Sequence, residues 1–169
     1  MTLQPITLLA YSSLAELYEH YVREYVRASP IIAACGCQIH CYEHHFVHMV
    51  KLVDPGQPDF FFADVKQQIL DTNVGFGAYQ HDELRARWLL VALETLKKPD
   101  MVVRTAGLAT SDRAFIKQVG GPPYPYVVAL IGKDDELLTL RTAFPIRKGR
   151  LKKWTAGALL FPKTPQPPG

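Results

Sequence analysis

The fold is organised around the stretch Gln38-Ile39-His40-Cys41-Tyr42-Glu43-His44-His45-Phe46-Val47-His48-Met49-Val50-Lys51-Leu52, which contains four of the chain's six histidines. Its first residues alternate between apolar and polar side chains, and its later residues repeat apolar side chains at helical spacing. The pattern predicts a short strand that turns into a helix, with imidazoles at the junction. Because histidine exchanges protons near neutral pH, we expect any chemistry of this protein to begin there.

Helical periodicity dominates the first hundred residues. Ser12 or Ser13 can cap a first helix together with Glu16, and Asp59 and Asp82 can cap two later ones. Apolar side chains recur at steps of three and four in each predicted helix. The four predicted helices cover residues 13–28, 43–53, 59–70 and 83–97, and a loop is expected at 73–80.

Strand patterns dominate the rest of the chain. Residues 31–42 alternate and predict a strand, and short apolar runs separated by turn residues predict five more strands. These five cover residues 101–108, 114–119, 126–131, 137–144 and 158–161. Helices followed by strands predict an α+β fold. N-terminal helices (about 1–100) would pack on a C-terminal antiparallel sheet (101–163) of four to five strands, as one domain over 1–163 with a flexible tail at 164–169.

Composition excludes several classes of protein. Hydrophobic residues make up 48% of the 169 residues, which is enough for a globular core. The longest apolar run is too short to span a membrane, and residues 1–11 lack the basic start of a secretory signal. Three cysteines within seven residues, Cys35, Cys37 and Cys41, favour a reducing compartment. We therefore expect a cytoplasmic protein.

Positive charge is concentrated near the C-terminus. The formal net charge is +3, and residues 141–163 carry seven lysines and arginines without an acidic residue. Such a run is often only a solvated face, but it also suits an anionic partner.

The closely spaced cysteines are a candidate metal site. Cys35, Cys37, His40 and Cys41 are zinc-binding residue types. Their spacing is not that of a zinc knuckle, and the strand phase places the cysteines on the apolar side, where cysteine behaves as a small hydrophobic residue. The chain also lacks the zinc-protease HExxH order, because Glu43 precedes His44 rather than following it. No nucleotide-binding glycine motif or serine-nucleophile motif is present.

Chemistry that needs no cofactor remains. RNA carries its own nucleophile, the 2′-hydroxyl, so its cleavage needs a base, an acid and groups that stabilise the charged phosphorane. Histidine, arginine, lysine and threonine side chains can supply these functions. His44 and His48 are four residues apart and so share one face of the predicted second helix.

Several short pieces resemble one known family. They are Ile39-x-Cys-Tyr-x-x-x-Phe46-x-His48-Met49, Leu96-Lys-Lys-Pro99-Asp100-x-Val102, Phe115-Ile-Lys117, Val127-Val-Ala-Leu-Ile131 and Leu140-Arg141-Thr142-Ala143-Phe144-Pro145. Together they resemble the phage- and mobile-element-associated branch of the barnase–EndoU–colicin–RelE ribonuclease superfamily, over about residues 38–161. The resemblance implies N-terminal helices on a four-stranded antiparallel sheet and a metal-independent endoribonuclease of toxin-like character, with tRNA or mRNA as substrate and an antitoxin or immunity protein as a further partner.

The resemblance also implies roles for individual residues. His48 matches the helix histidine and would act as general base or acid, while Lys117 and Arg141 would hold the scissile phosphate. Thr142 would donate to a non-bridging oxygen, and His44 is included because it shares a face with His48. The expected contacts to the RNA backbone come from Arg104, Lys152 and Lys153.

Two alternatives stay open from the sequence. The fold could be a non-catalytic RNA- or protein-binding module, or a small zinc-binding protein. Strand phase adds one condition to the catalytic hypothesis. Arg141 and Thr142 point to opposite sides of a regular strand, so they can converge on one site only where the strand ends or bulges.

Overall fold

The computed structural model describes residues 6–54, 62–70, 79–105 and 111–162. Within them the α+β class predicted from the sequence is confirmed. The helices and strands are, in chain order, α1 Leu14–Tyr21, β1 Ile31–Ile32, β2 Gln38–His40, α2 Phe46–Met49, α3 Phe62–Leu70, α4 Glu83–Arg87, α5 Leu89–Lys97, β3 Met101–Arg104, β4 Arg113–Gln118, β5 Tyr126–Asp134, β6 Leu137–Ile146, α6 Leu151–Trp154 and β7 Leu159–Phe161. A π-helical turn, Val22–Val26, continues α1, and 3-10 turns, Glu43–His45 and Lys148–Arg150, precede α2 and α6.

The predicted caps of two helices are confirmed. At the start of α1, the Ser13 hydroxyl accepts from the Glu16 amide at 3.1 Å, and the Glu16 carboxylate accepts from the Ser12 amide and hydroxyl. At the start of α4, the Asp82 carboxylate accepts from the Arg85 amide at 3.1 Å. Each cap satisfies a backbone donor that has no partner within its helix.

The helix predicted over residues 43–53 is shorter in the structure. The α-helix ends at Met49 because Lys51 adopts a left-handed conformation with φ of 52°. The Leu52 amide then donates to the Val47 carbonyl at 2.8 Å, as is typical of a helix C-terminus. Three side chains predicted for the buried stripe are fully buried, namely Phe46, Met49 and Val50, whereas Val53 is exposed.

The sheet is larger than predicted, and one of its pairings is parallel. Within the described residues its strand order is β1-β2-β6-β5-β4-β3-β7, which makes seven strands, and β2 runs parallel to β6. The prediction of four to five antiparallel strands is therefore wrong. The two extra strands come from residues 31–42, which fold back on themselves: Gly36 has φ of 88°, and the Ala33 amide donates to the Cys37 carbonyl at 2.9 Å.

The sheet buries apolar side chains on both faces. We call one the helical face; it packs into the main core with α1 and α5 and carries Val102, Phe115, Ala129 and Ile131. We call the other the α6 face; it packs against Leu151 and Trp154 and carries Val103, Ile116 and Val128. Because side chains alternate along a regular strand, strand residues outside a bulge can be assigned to one of these faces.

A β-bulge interrupts β6 where the sequence required one. Leu130 of β5 pairs with Thr142, but the next residue, Ile131, pairs with Leu140, so Arg141 is an extra residue on β6. A bulge resets the alternation of side chains. The condition for Arg141 and Thr142 to lie on one side is therefore met.

Some sequence predictions lie outside the described residues. These are the cap at Asp59, most of the loop at 73–80, the end of the strand predicted over 101–108, and the tail at 164–169. The single-domain assignment stays a prediction. Among the described helices, none combines the length and apolar character needed to cross a bilayer.

Candidate active site

The 3-10 turn before α2 holds the first histidines in place. The Tyr21 hydroxyl donates to the Tyr42 carbonyl at 2.7 Å just before the turn. Glu43 is the first residue of the turn. Its carboxylate accepts from the Tyr18 hydroxyl and lies 3.0 Å from the Lys66 ammonium. Contacts from α1 and α3 thus fix the backbone from which the imidazoles project.

Three imidazoles form what we call the histidine cluster, made of His44, His45 and His48. His44 and His48 are exposed, and His45 is 4% exposed. The ring centroid of His45 lies 4.2 Å from that of His44 and 6.1 Å from that of His48. The two histidines predicted to share a face are therefore brought together around a third, buried one.

Arg141 brings positive charge to this cluster. Its Nη1 lies 3.4 Å from His45 Nε2, and its Nη2 donates to Asp134 Oδ1 at 2.5 Å. A guanidinium can only donate, so Nε2 of His45 accepts and the proton of the neutral ring sits on Nδ1. That Nδ1 and the Nε of Arg141 are buried, and neither has a hydrogen-bond partner among the described residues. These two N–H donors, one on His45 and one on Arg141, therefore lie unused beside the exposed imidazoles of His44 and His48.

Gly132 makes room for the arginine. A Cβ at this position would overlap the Nε of Arg141 and lie 2.8 Å from its Cζ. Gly132 follows Ile131, which is on the helical face, so its missing Cβ would point to the α6 face. The guanidinium of Arg141 thus lies across the α6 face.

Thr142 connects β6 to α2. Its hydroxyl donates to the His48 carbonyl at 3.0 Å and accepts from Arg85 Nη1 at 3.1 Å. Arg85 Nη1 also lies 3.5 Å from the same carbonyl, and its guanidinium lies 4.8 Å above the Phe144 ring. Thr142 and Arg85 therefore fix the backbone of His48, and the hydroxyl proton of Thr142 is already used.

The electrostatics favour the neutral forms of His45 and His48. Burial lowers the pKa of His45 to about 4, with further lowering from His44, Arg141 and His48. Burial also lowers the pKa of His48, and His44 and Arg141 lower it further. A hydrogen bond from Arg141 holds the pKa of Asp134 below its usual range. At neutral pH, His48 is thus an unprotonated imidazole beside a guanidinium.

Lys117 and Arg104 are not brought to the cluster. Lys117 is two residues from Phe115 in β4, and Arg104 is two residues from Val102 in β3. Residues two apart in a strand share a face, so both cations lie on the helical face. The Lys117 ammonium donates to the Lys98 carbonyl at 2.8 Å, at the end of α5. Arg104 pairs with Asp112 at 3.2 Å. Both cations lie on the face opposite to Arg141.

Lys152 and Lys153 belong to α6, the helix that packs on the sheet face across which the Arg141 guanidinium lies. They are exposed on α6, which covers the α6 face. Trp154 packs 5.6 Å from the ring of Phe144, the residue that also contacts Arg85. The predicted backbone-binding lysines are therefore linked to the cluster through neighbouring side chains.

The sequence did not predict the roles of four residues of the site. His45 was predicted only as one of several histidines, although its position four residues before Met49 of the predicted buried stripe could have marked it as the inward-facing one. Arg85, Gly132 and Asp134 carry no local signal, because their contacts with Thr142 and Arg141 depend on the tertiary structure.

The three cysteines lie in or against the main core. Cys41 is buried in the main core, and Cys35 and Cys37 pack against that core. The predicted apolar surroundings are therefore found, although none of the three cysteines lies in a strand. Within the described part of the chain, no three His, Cys, Asp or Glu side chains are grouped so as to hold a metal ion. The zinc-binding alternative has no support there.

Comparison with known proteins gives one match. The family described as phage-Barnase-EndoU-ColicinE5/D-RelE like nuclease 2 matches residues 45–162, well over half of the chain. The matched range includes His45, His48, Arg141 and Thr142, and it begins one residue after His44. No curated protein and no solved structure matches. The resemblance inferred from the short motifs is confirmed, and the chain belongs to the phage-Barnase-EndoU-ColicinE5/D-RelE like nuclease 2 family.

Proposed function

We propose that this chain is an endoribonuclease that cleaves RNA by attack of the 2′-hydroxyl on the adjacent phosphate, without a metal ion. One observation carries the proposal: an exposed imidazole with a lowered pKa, His48, lies in a cluster with the guanidinium of Arg141 and a second exposed imidazole, His44. A base, a cation and a further proton carrier in one place are what this reaction needs.

His48 is assigned as the general base. Because its pKa lies below 6.5, it is unprotonated at neutral pH and can take the proton of the 2′-hydroxyl. The 2′-oxygen then forms a bond to phosphorus while the bond from phosphorus to the 5′-oxygen breaks. His44 is assigned as the acid that gives a proton to the departing 5′-oxygen. The products are a 2′,3′-cyclic phosphate and a 5′-hydroxyl.

Arg141 is assigned to the phosphate. Two of its nitrogens already contact Asp134 and His45, which fixes the guanidinium in place. A guanidinium has five N–H donors, so donors remain for the non-bridging oxygens of the phosphorane. Preorganised donors of this kind need no rearrangement as charge develops. Thr142 is assigned to positioning His48 rather than to the phosphate, because its hydroxyl donates to the His48 carbonyl.

The first test is RNA cleavage in the presence of EDTA, with identification of the products. Full activity with a chelator, 2′,3′-cyclic phosphate ends and no cleavage of RNA with a 2′-deoxy sugar at the cut site are expected. His48→Ala should lower the rate by about 100-fold or more, since general base catalysis contributes about that much. His20→Asn, on α1 outside the cluster, is the matched control. Full activity of His48→Ala would refute the assignment.

The non-catalytic alternative makes a different prediction. RNA binding without turnover, unchanged by His48→Ala, would favour a binding module. One observation favours this alternative: Arg141 and Thr142 already have hydrogen-bond partners within the protein, as residues with a purely structural role would.

The toxin-like role can be tested in cells. Expression of the chain should arrest growth of a bacterial host, and the His48→Ala variant should not. Rescue by a neighbouring gene product that binds the chain would identify an antitoxin or immunity protein.

The two proposed substrate classes are tRNA and mRNA. Sequencing the cleaved ends distinguishes between them. A cytoplasmic location stays a prediction.

A further inference from the structure

Five exposed cations lie on and just before α6. We call residues 147–153 the basic segment; its cations are Arg147, Lys148, Arg150, Lys152 and Lys153. Over residues 137–162 the sequence contains no acidic residue. A surface with this density of one charge attracts a polyanion, and the attraction is stronger where no carboxylate competes.

The basic segment is joined to the histidine cluster by a continuous line of side chains on the α6 face. Trp154 contacts Phe144 at 5.6 Å between ring centroids, and the Arg85 guanidinium lies 4.8 Å above the Phe144 ring. Arg85 in turn donates to Thr142, which holds the His48 carbonyl. Thr142 and Phe144 are two residues apart on β6, about 7 Å at strand spacing, so the line is short enough for one bound strand to follow.

We propose that a single-stranded RNA segment next to the scissile phosphate lies along this line, with a base against Trp154 and its phosphates on the basic segment. This inference rests on the proposed ribonuclease function. The Lys153 ammonium lies 4.9 Å from the Trp154 ring, so an aromatic surface and a cation are available at the same point. Aromatic stacking combined with backbone cations is how proteins hold single strands without base-specific contacts.

A duplex fits this surface less well. The aromatic side chains of the line offer ring surface only to unstacked bases, and double-stranded RNA is contacted mainly through its backbone and shallow groove. The strand would run from the cluster toward α6 on the α6 face, away from Lys117 and Arg104. These two cations on the helical face make no contribution to this binding.

The test compares substrate lengths. A dinucleotide contains the scissile phosphate alone, whereas a longer single-stranded RNA also reaches the basic segment. The paired variant Lys152→Gln with Lys153→Gln should lower kcat/KM on the longer RNA by at least tenfold more than on the dinucleotide. It should also flatten the dependence of log binding constant on log salt by about 1.4, since each contact to a single strand contributes about 0.7. The control pair is Lys97→Gln with Lys98→Gln, also adjacent and exposed but at the end of α5.

A second variant tests the aromatic contact. Trp154→Leu keeps an apolar side chain against Phe144 but removes the stacking surface, and it should weaken binding of single-stranded RNA by about tenfold. Unchanged binding by this variant with an unchanged melting temperature, or equal losses on dinucleotide and longer RNA for the lysine pair, would overturn the proposal. If the wild-type protein cleaves neither substrate, the proposed function fails instead, so the two failures are distinguishable.

Discussion

The guanidinium of Arg141 lies directly over Gly132, a residue of the neighbouring strand that has no side chain to oppose it. The bulge in β6 turns Arg141 toward the α6 face, and Gly132 leaves that face open beneath it. Asp134 and His45 then hold the two terminal nitrogens. The absence of a side chain at Gly132 and the extra residue in β6 together determine where the positive charge of the site lies.

Gly132→Ala should therefore displace Arg141. A methyl group at this position cannot coexist with the observed guanidinium, so the arginine must leave Asp134 and His45. Since a shift of about 1 Å in a catalytic group can cost about 100-fold in rate, we expect a loss of RNA cleavage of that order. The measurement is kcat/KM on a dinucleotide.

Gly121→Ala is the matched control for this change, because a Cβ at Gly121 meets no atom of the described residues within 4 Å. Wild-type activity in Gly132→Ala with Arg141 unmoved in a crystal structure of the variant would show that the site tolerates a side chain there.

Asp134→Asn tests whether the carboxylate positions Arg141. An amide oxygen can still accept from the guanidinium but carries no charge, so Arg141 should be held less firmly and kcat should fall more than KM rises. We expect about a tenfold loss, smaller than that of Arg141→Ala, because the geometry is only loosened. The control is Asp135→Asn, since φ of 54° at Asp135 is readily adopted by asparagine. Equal activity of Asp134→Asn and the wild type would remove Asp134 from the site.

The sequence predicted most of the local structure because the signals are local. The Ser13 and Asp82 caps depend on residues three positions away, and the strands from Met101 onward are bounded by turn residues next to them. The bend at Trp88, which divides the predicted helix over 83–97 into α4 and α5, has no such signal. Local rules therefore gave the elements but not their interruptions.

The site was only partly predictable for the same reason. The three histidines of the cluster lie within five residues of the sequence, so their proximity could be predicted without the structure. The partners of the cluster come from far away: Arg85 and Thr142 are separated by 57 residues, and His45 and Arg141 by 96. Lys117 was assigned to the phosphate through the resemblance, and only the alternation of β4 shows that it lies on the helical face.

The pH dependence of cleavage should report the lowered pKa of His48. A general base works only when unprotonated, so kcat/KM should rise with pH as His48 loses its proton, and the midpoint of this rising limb should lie below pH 6.5. Because His44 is one of the positive neighbours that lower this pKa, His44→Asn should raise it, and NMR titration of the His48 ring can follow the change without any activity. A rising limb above pH 6.5 in the wild type would contradict the assignment of His48 as base.

His45 should make folding stability depend on pH. Its pKa is about 4 in the folded protein and near 6.5 when unfolded, so the unfolded state binds the extra proton between these values. The stability is fully present above pH 6.5 and is lost as the pH falls toward 4, by at most about 3 kcal/mol. Urea unfolding at a series of pH values measures this. His45→Gln, which keeps an acceptor for Arg141, should give a flatter curve, and an unchanged slope would show that His45 is not the group responsible.

Arg85 and Thr142 should act on His48 as one unit. Arg85→Ala removes the donor to Thr142 and to the His48 carbonyl, and Thr142→Val removes the hydroxyl between them. Each change should lower kcat by about tenfold through misplacement of the base. Because both act on the same carbonyl, the double variant should lose much less than the product of the two single losses.

Thr142→Ser, which keeps the hydroxyl, should restore most of the rate, and Arg87→Ala, which changes an exposed arginine at the end of the same helix, is the control. Fully multiplicative losses would mean that Thr142 contacts the phosphate independently of Arg85, which is the role that the family resemblance implied.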